Sequence, residues 1–124
     1  MNKRILLRTA ALFIAISFEA RSIAEMTELP SLAPTEVYIT NTSSQVTVNF
    51  SLVGDKCDPL SASLRPDYFG TYTCNGASSF EFAITTAKRD GSQVSRVATL
   101  APTKRYEIYS EPSGAWNIRE IYSR

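Results

Sequence analysis

The chain has 124 residues, with 13 Lys and Arg against 12 Asp and Glu and a formal net charge of +1 at neutral pH. A chain of this length has room for one domain with a single hydrophobic core. It contains no histidine, which excludes Ser-His-Asp and Cys-His catalysis and also blue-copper sites, whose metal needs two imidazole ligands.

The first 24 residues have the pattern of a secretory signal peptide. A basic start is followed by the apolar run TAALFIAISF, and Ser22 and Ala24 have the small side chains and the spacing of a signal-peptidase site. This run is shorter than the ~20 residues that a membrane-spanning helix needs. We therefore predict export to the periplasm or out of the cell, with cleavage after Ala24. The alternatives are an amphipathic helix or an uncleaved leader, through which alone the chain would contact a membrane.

Removal of the leader changes the balance of charge. The leader holds four of the 13 basic and one of the 12 acidic residues, so 9 basic and 11 acidic residues remain, a net charge of −2. The remaining chain has no run of Lys or Arg with which to bind nucleic acid or anionic lipid. We predict no nucleic-acid partner.

Residues 25–34, EMTELPSLAP, are polar and contain two prolines, which predicts a flexible lead-in. Residues 35–124 then alternate apolar and polar side chains nearly throughout, as strands with one buried face do. In the clearest run, QVTVNFSL, the residues expected to face inward are Val46, Val48, Phe50 and Leu52. About seven short strands and no helical period predict an all-β domain, a small antiparallel β-sandwich.

The chain has two cysteines, Cys57 and Cys74, with sixteen residues between them. Export would place them in an oxidising compartment. A metal pair or a catalytic thiol are the competing interpretations, but two thiolates without histidine make a poor zinc site. We predict a disulfide, which would stabilise the fold by about 3 kcal/mol in the chain-entropy model.

The stretch LAPTKRYEI, residues 100–108, resembles the tyrosine corner of fibronectin type III and related immunoglobulin-like domains. Those domains place a Leu and a Pro six and four residues before a Tyr that opens the next-to-last strand, as Leu100, Pro102 and Tyr106 are spaced here. The resemblance implies an Ig-like sandwich, with the Tyr106 ring beneath a crossing between sheets and its hydroxyl bonded to backbone a few residues upstream. A shared architecture implies little about function.

Three loop carboxylates are candidates for other chemistry. Asp55, Asp58 and Asp67 lie near the predicted disulfide in sequence, and their convergence would make a catalytic pair or a calcium site. Solvated loop carboxylates are far commoner, and GDKCD matches no calcium-loop signature. We predict no catalytic residue, no metal ligand and no cofactor.

Two tripeptides, NTS at Asn41 and NFS at Asn49, satisfy the rule for N-glycosylation. Asn49 lies on the polar side of its predicted strand, where a glycan is sterically possible. In a bacterial chain both matches are expected by chance.

Alternation in the last two predicted strands gives a candidate interaction face. If Tyr106, Ile108, Trp116 and Ile118 face the core, the residues that face outward together are Tyr109, Arg119 and Ile121. Aromatic, Arg and aliphatic side chains grouped on a surface are typical of interface centres. The alternative is a bulge that returns Ile121 to the core, since a slip of one residue reverses every assignment.

These features favour a small exported non-catalytic binding domain, whose partner is a protein or a surface glycan. The first alternative is a structural subunit of an envelope or surface assembly. The lead-in would be a poor donated strand for such an assembly, because it contains prolines and lacks alternation. A more remote alternative is a small carboxylate-dependent hydrolase.

Overall fold

The computed structural model describes residues 16–22, 31–43, 46–86 and 96–121. Within these ranges the chain forms strands and no helix, so the described part contains no helix that could span a membrane. In chain order the strands are β1 Ser17–Ser22, β2 Glu36–Asn41, β3 Val48–Gly54, β4 Leu60–Leu64, β5 Tyr68–Thr73, β6 Phe80–Ile84, β7 Arg96–Leu100, β8 Arg105–Ser110 and β9 Trp116–Ile121. The all-β prediction is confirmed for this part of the chain.

The strands form two sheets. Sheet A has the order β1-β5-β2-β8-β9, and sheet B has the order β4-β3-β6-β7. Neighbouring strands are antiparallel, except that β2 and β8 are parallel. The two sheets are thus mainly antiparallel, as predicted, and this one pair departs from the prediction. Parallel neighbours need a long connection, which the intervening strands of both sheets supply here.

The two sheets face each other across one core. A single cluster of buried residues contains Val37 and Ile39 of sheet A together with Phe50, Phe82 and others of sheet B. Phe50 also contacts the ring of Tyr72 in the opposite sheet edge-on, with ring centroids 5.8 Å apart. This is the layered arrangement of a β-sandwich, built by the period-two alternation of the strands.

Strand β4 was not among the seven predicted strands. Its alternation is short, with Ala62 and Leu64 buried and Ser61 and Ser63 exposed. Serine and alanine have little preference for strands, so the segment gave a weak signal. It forms an edge of sheet B, paired with β3.

Strand β1 is a second strand that the sequence did not predict, and it lies among the residues assigned to the leader. It pairs antiparallel with β5, from Ser17 opposite Thr73 to Ser22 opposite Tyr68. The preceding residue, Ile16, is buried and belongs to the core cluster. This pairing concerns the uncleaved chain, and cleavage after Ala24 stays a prediction.

The inward orientation predicted for Val46 is wrong, since this side chain is 38% exposed. Its carbonyl accepts hydrogen bonds from Asn41 Nδ2 at 2.9 Å and from Ser43 Oγ at 3.1 Å. β3 therefore begins only at Val48, and the alternation of the sequence extends beyond the strand.

The Cys57–Cys74 disulfide predicted from the sequence is present, with the two Cα atoms 6.3 Å apart. Cys57 lies in the connection after β3 of sheet B, and Cys74 directly follows β5 of sheet A. Gly54 lies so close that a Cβ atom on it would be 2.6 Å from the sulfur of Cys74. The bond therefore joins the two sheets at one end of the sandwich.

The predicted corner lies where the chain passes from β7 in sheet B to β8 in sheet A. Leu100 and Tyr106 are buried, and Thr103 between them has a positive φ of 67°. The backbone N–H of Ala101 donates a hydrogen bond of 2.8 Å to the hydroxyl of Tyr106. The burial and the upstream hydrogen bond predicted for Tyr106 are thus confirmed.

Candidate functional site

The candidate site is the outer surface of the hairpin formed by β8 and β9, which we call the hairpin face. The inward residues of this hairpin, Tyr106, Ile108, Trp116 and Ile118, are all buried in the core cluster. The alternate residues form three cross-strand pairs, which are Tyr109 with Asn117, Glu107 with Arg119, and Arg105 with Ile121. Alternation of the two strands therefore places Tyr109, Arg119 and Ile121 on the same outer side.

Arg119 is held in place by two neighbours on β8. Its guanidinium carbon lies 4.2 Å from the centre of the Tyr109 ring, and its Nε–H donates to a carboxylate oxygen of Glu107. The hydrogen bond to Glu107, followed by the charge of this carboxylate, raises the pKa of Arg119. The result is a fixed cation lying over an aromatic ring, and Arg119 is still 59% exposed.

Ile121 lies on the same strand as Arg119, two residues further along, opposite Arg105 of β8. It is half-buried and does not belong to the core cluster. The alternative interpretation, in which a bulge returns Ile121 to the core, does not describe this arrangement. An aliphatic side chain thus adjoins the Arg119–Tyr109 stack.

Polar and charged residues pair at both ends of the hairpin. Lys104 and Glu120 approach to 3.4 Å, with side chains 50% and 34% exposed, and Glu120 lies opposite the inward residue Tyr106. At the turn of the hairpin, Asn117 Nδ2 donates to Glu111 at 2.8 Å. Sequence reasoning missed Glu107 as a member of the face, although it lies at an outward position between two residues that alternation places in the core.

The rest of the outer surface of sheet A differs from the hairpin face. Tyr38 of β2 stacks on Phe69 of β5 with ring centroids 5.1 Å apart, and both rings are buried together with Thr40. Burial raises the pKa of the Tyr38 phenol. Alternation places these two rings on the side of sheet A that faces away from the core. It does not predict that they are buried, because their burial depends on what packs against that outer side.

The outer surface of sheet B is a second, flatter surface of small side chains. One row across four strands contains Ser61, Ser51, Ala83 and Val97. Val97 is 57% exposed and is one of two large hydrophobic residues exposed in the described part of the chain. This surface offers control positions on the other sheet, on the outer side opposite to the hairpin face.

Of the three candidate aspartates, Asp55 and Asp58 share the loop between β3 and β4, and Asp67 lies in the next loop. Asp55 accepts hydrogen bonds from the backbone N–H and the hydroxyl of Ser78, at 3.0 and 2.7 Å, and these bonds lower its pKa. Asp58 precedes β4 and Asp67 follows it, and a strand of five residues spans ~16 Å. The described ranges contain no group of three Asp, Glu, Cys or His residues that could hold a metal ion.

The two glycosylation tripeptides have different surroundings. Asn41 is fully buried, and its amide group donates to the carbonyl of Leu64 at 2.8 Å and accepts from the N–H of Ser43 at 2.9 Å. Asn49 is exposed on β3, where the hydroxyl of Ser63 donates to it. A glycan therefore has space at Asn49 and none at Asn41 in the folded chain.

Comparisons with protein-family models, with curated proteins and with solved structures found no match for this chain.

Proposed function

We propose that this protein is an exported, non-catalytic binding domain of Ig-like architecture that contacts a protein or a surface glycan through the hairpin face. The observation that carries the proposal is the stack of Arg119 on Tyr109, with Ile121 beside it. Aromatic rings and Arg are enriched at interface centres and contribute much of their binding energy.

The fixed position of Arg119 supports this proposal. Ordering a long side chain at an interface costs about 0.5–1.5 kcal/mol in lost rotamer entropy. Glu107 and Tyr109 already hold the guanidinium, so that part of this cost is met before a partner arrives. Asn117, which lies opposite Tyr109 and donates a hydrogen bond to Glu111, supplies part of the polar rim that usually surrounds an interface centre.

Export is proposed from the leader pattern and from the disulfide. Disulfides persist in oxidising compartments, and the bond between Cys57 and Cys74 is weak support for such a location. The Ig-like type is proposed from the hydrogen-bonded corner at Tyr106. The position of Asp67 in a different loop from Asp55 and Asp58 favours a binding domain over the carboxylate-dependent hydrolase.

The proposal is tested by capture of the partner in the native host. The full chain carries a C-terminal tag on a flexible linker, is cross-linked in intact cells, and is analysed by mass spectrometry together with what it binds. We expect a reproducible partner that is lost in the double variant Tyr109→Asp with Ile121→Asp. The matched control is Val97→Asp with Thr99→Asp, which places the same two charges on the exposed outer surface of sheet B.

Capture of the same partner by the double variant would show that the hairpin face is not the contact. Capture of nothing by the unmodified chain, folded and oxidised, would contradict binding to a protein. The same chain would then be applied to an array of surface glycans, and binding that depends on Tyr109 and Ile121 would keep the proposed face. The N-terminal residue of the purified chain tests export, for which we expect Glu25.

A structural subunit of an envelope or surface assembly is the second candidate function. The observation that favours it is the position of β1, a strand of sheet A that belongs to the predicted leader. Removal of the leader would leave sheet A with an open edge.

A further inference from the structure

Strand β5 is an interior strand of sheet A because β1 covers one of its sides. β5 pairs with β2 on one side and with the six residues Ser17–Ser22 on the other. In an antiparallel ladder, alternate residues direct their N–H and C=O groups to a given neighbour. Without β1, half of the residues of β5 would lose their backbone partners.

The composition of β5 is that of an interior strand. Its residues Tyr68–Thr73 read YFGTYT, without a charge or a proline. The three edge strands other than β1 are protected in ways that β5 is not, because β9 carries Arg119 and Glu120, and β4 and β7 have five residues each. Natural proteins protect exposed edges by charges, prolines or short strands, and an unprotected edge readily pairs with another chain.

The segment around β1 also fills part of the core. Ile16 is 7% exposed and packs in the same cluster as Tyr72 and Cys74 at the end of β5. Within β5, the ring of Tyr72 lies against Gly70, where an added Cβ would be 2.5 Å from the phenol oxygen. Loss of residues 16–22 would therefore open both a ladder and an apolar position beside it.

We propose that removal of the leader converts β5 into an acceptor edge that binds an extended segment of another polypeptide. This inference rests on the export and cleavage in the proposed function. The segment is free of proline, pairs antiparallel with Tyr68–Thr73 in the place of Ser17–Ser22, and carries an aliphatic side chain where Ile16 lies. Backbone hydrogen bonds supply the affinity of such strand addition, and the inserted side chain supplies its specificity.

The protein's own lead-in does not fit this edge. It contains Pro30 and Pro34, which have no N–H to donate to a ladder. Residues 31–35 also lead directly into β2, which pairs with the opposite side of β5. The occupant in the cleaved protein therefore comes from another polypeptide.

The test uses the full chain with a protease site inserted between Ala24 and Glu25. The folded chain is cut at this site, and a fluorescent synthetic peptide of residues 15–23 is added in excess. We expect the labelled peptide to replace the cut segment and to raise the fluorescence anisotropy. A matched peptide with both Ala20→Pro and Arg21→Pro loses the donor to β5, since one of two successive N–H groups faces that strand. A peptide with Ile16→Asp places a charge in the core, and both peptides should bind at least roughly tenfold more weakly.

Hydrogen exchange locates the binding. The amides of β5 should lose protection when the cut segment is washed out and regain it with the peptide, while those of β9 stay unchanged. If the washed chain unfolds, refolding by the peptide supports the acceptor edge, and failure of the peptide to refold it overturns the proposal.

Three further outcomes would overturn it. They are equal binding of all peptides, a cut chain that dimerises and does not take up the peptide, and a natural N-terminus upstream of Ser17, which would keep β1 in the chain. Peptide exchange does not involve Tyr109 or Arg119, so its failure would not contradict the proposal that a partner binds the hairpin face. Failure of partner capture would likewise leave the peptide result intact.

Discussion

The hydroxyl of Tyr106 accepts a hydrogen bond of 2.8 Å from the backbone N–H of Ala101, at the crossing from sheet B to sheet A. The two residues are five positions apart, and the Tyr106 ring between them is buried. The ring fills the core edge below the crossing, and its hydroxyl satisfies a donor that no ladder reaches. Packing and hydrogen bonding at this corner are thus supplied by one side chain.

The variant Tyr106→Phe separates these two contributions, because it keeps the ring and removes the hydroxyl. We expect the free energy of unfolding to fall by about 1 kcal/mol, the usual net value of one such hydrogen bond. Urea unfolding with an unchanged m-value measures this loss. The control is Tyr68→Phe, whose hydroxyl accepts an exposed hydrogen bond from Arg65, and it should cost less. Equal stability of Tyr106→Phe and the unmodified chain would contradict the role of the hydroxyl.

Reduction of the bond between Cys57 and Cys74 should lower the free energy of unfolding by about 3 kcal/mol. The bond restricts the unfolded chain and joins the two sheets in the folded one. Urea unfolding with and without a reductant measures the difference. The double variant Cys57→Ala with Cys74→Ala is the control, since its stability should not respond to reductant. Identical unfolding of the oxidised and reduced chains would show that the bond carries no stability.

Period-two alternation was enough to predict most of the strands and the orientation of the terminal hairpin. It succeeds where one side of a strand faces the core, as in β3 with Phe50 and Leu52 buried. It fails at Val46, because side-chain hydrogen bonds from Asn41 and Ser43 end the ladder before the alternation ends. Such side-chain hydrogen bonds to the backbone leave no periodic signal.

The parts of the sheets that depend on tertiary pairing were also beyond sequence reasoning. β4 is rich in serine and is stabilised as a strand by its neighbour β3. The pairing of β1 with β5 was missed because its residues have the composition of a leader. At the hairpin face, alternation predicts the common side of Tyr109 and Arg119, while their stacking and the bond to Glu107 depend on cross-strand register.

The hydrogen bonds from Ser78 to Asp55 predict a dependence of stability on pH. They lower the pKa of Asp55 in the folded chain below its ordinary value of 3.8, the side-chain bond being the larger cause. This contribution is therefore present above the unfolded pKa of about 3.9 and is lost as the pH falls through the folded value. Ser78→Ala should be less stable than the unmodified chain at neutral pH, and the difference should shrink below about pH 4.

Urea unfolding between pH 2 and pH 7 measures this difference. The control is Ser63→Ala, in which the lost hydroxyl donates to the amide of Asn49, a group that does not titrate. Its effect on stability should be the same at both ends of the range. A Ser78→Ala effect that does not change with pH would contradict the bond to an ionised Asp55.

The pair of Arg119 and Glu107 should contribute little to stability. Arg119 is 59% exposed and Glu107 is 16% exposed, so water screens the pair from the side of Arg119, and ion pairs at a surface are usually worth less than about 1 kcal/mol. A double-mutant cycle with Arg119→Ala and Glu107→Ala, followed by urea unfolding, gives their coupling energy. A coupling energy well above this value would show that the pair stabilises the hairpin. Loss of binding in a variant of the hairpin face could then result from a destabilised hairpin.

Burial distinguishes the two glycosylation tripeptides. In a eukaryotic secretory host, the folded protein that reaches the medium should carry a glycan at Asn49 alone, because this residue is exposed on the outer surface of sheet B. A glycan on Asn41 would replace one of the two Nδ2 hydrogens that bond to Leu64 and Val46, and the buried site has no room for it, so it would prevent folding. Mass spectrometry of the secreted chain should show a glycan that Asn49→Gln removes and Thr99→Gln, a control on the same surface, retains. A glycopeptide containing Asn41 in folded protein would contradict the buried position of this amide.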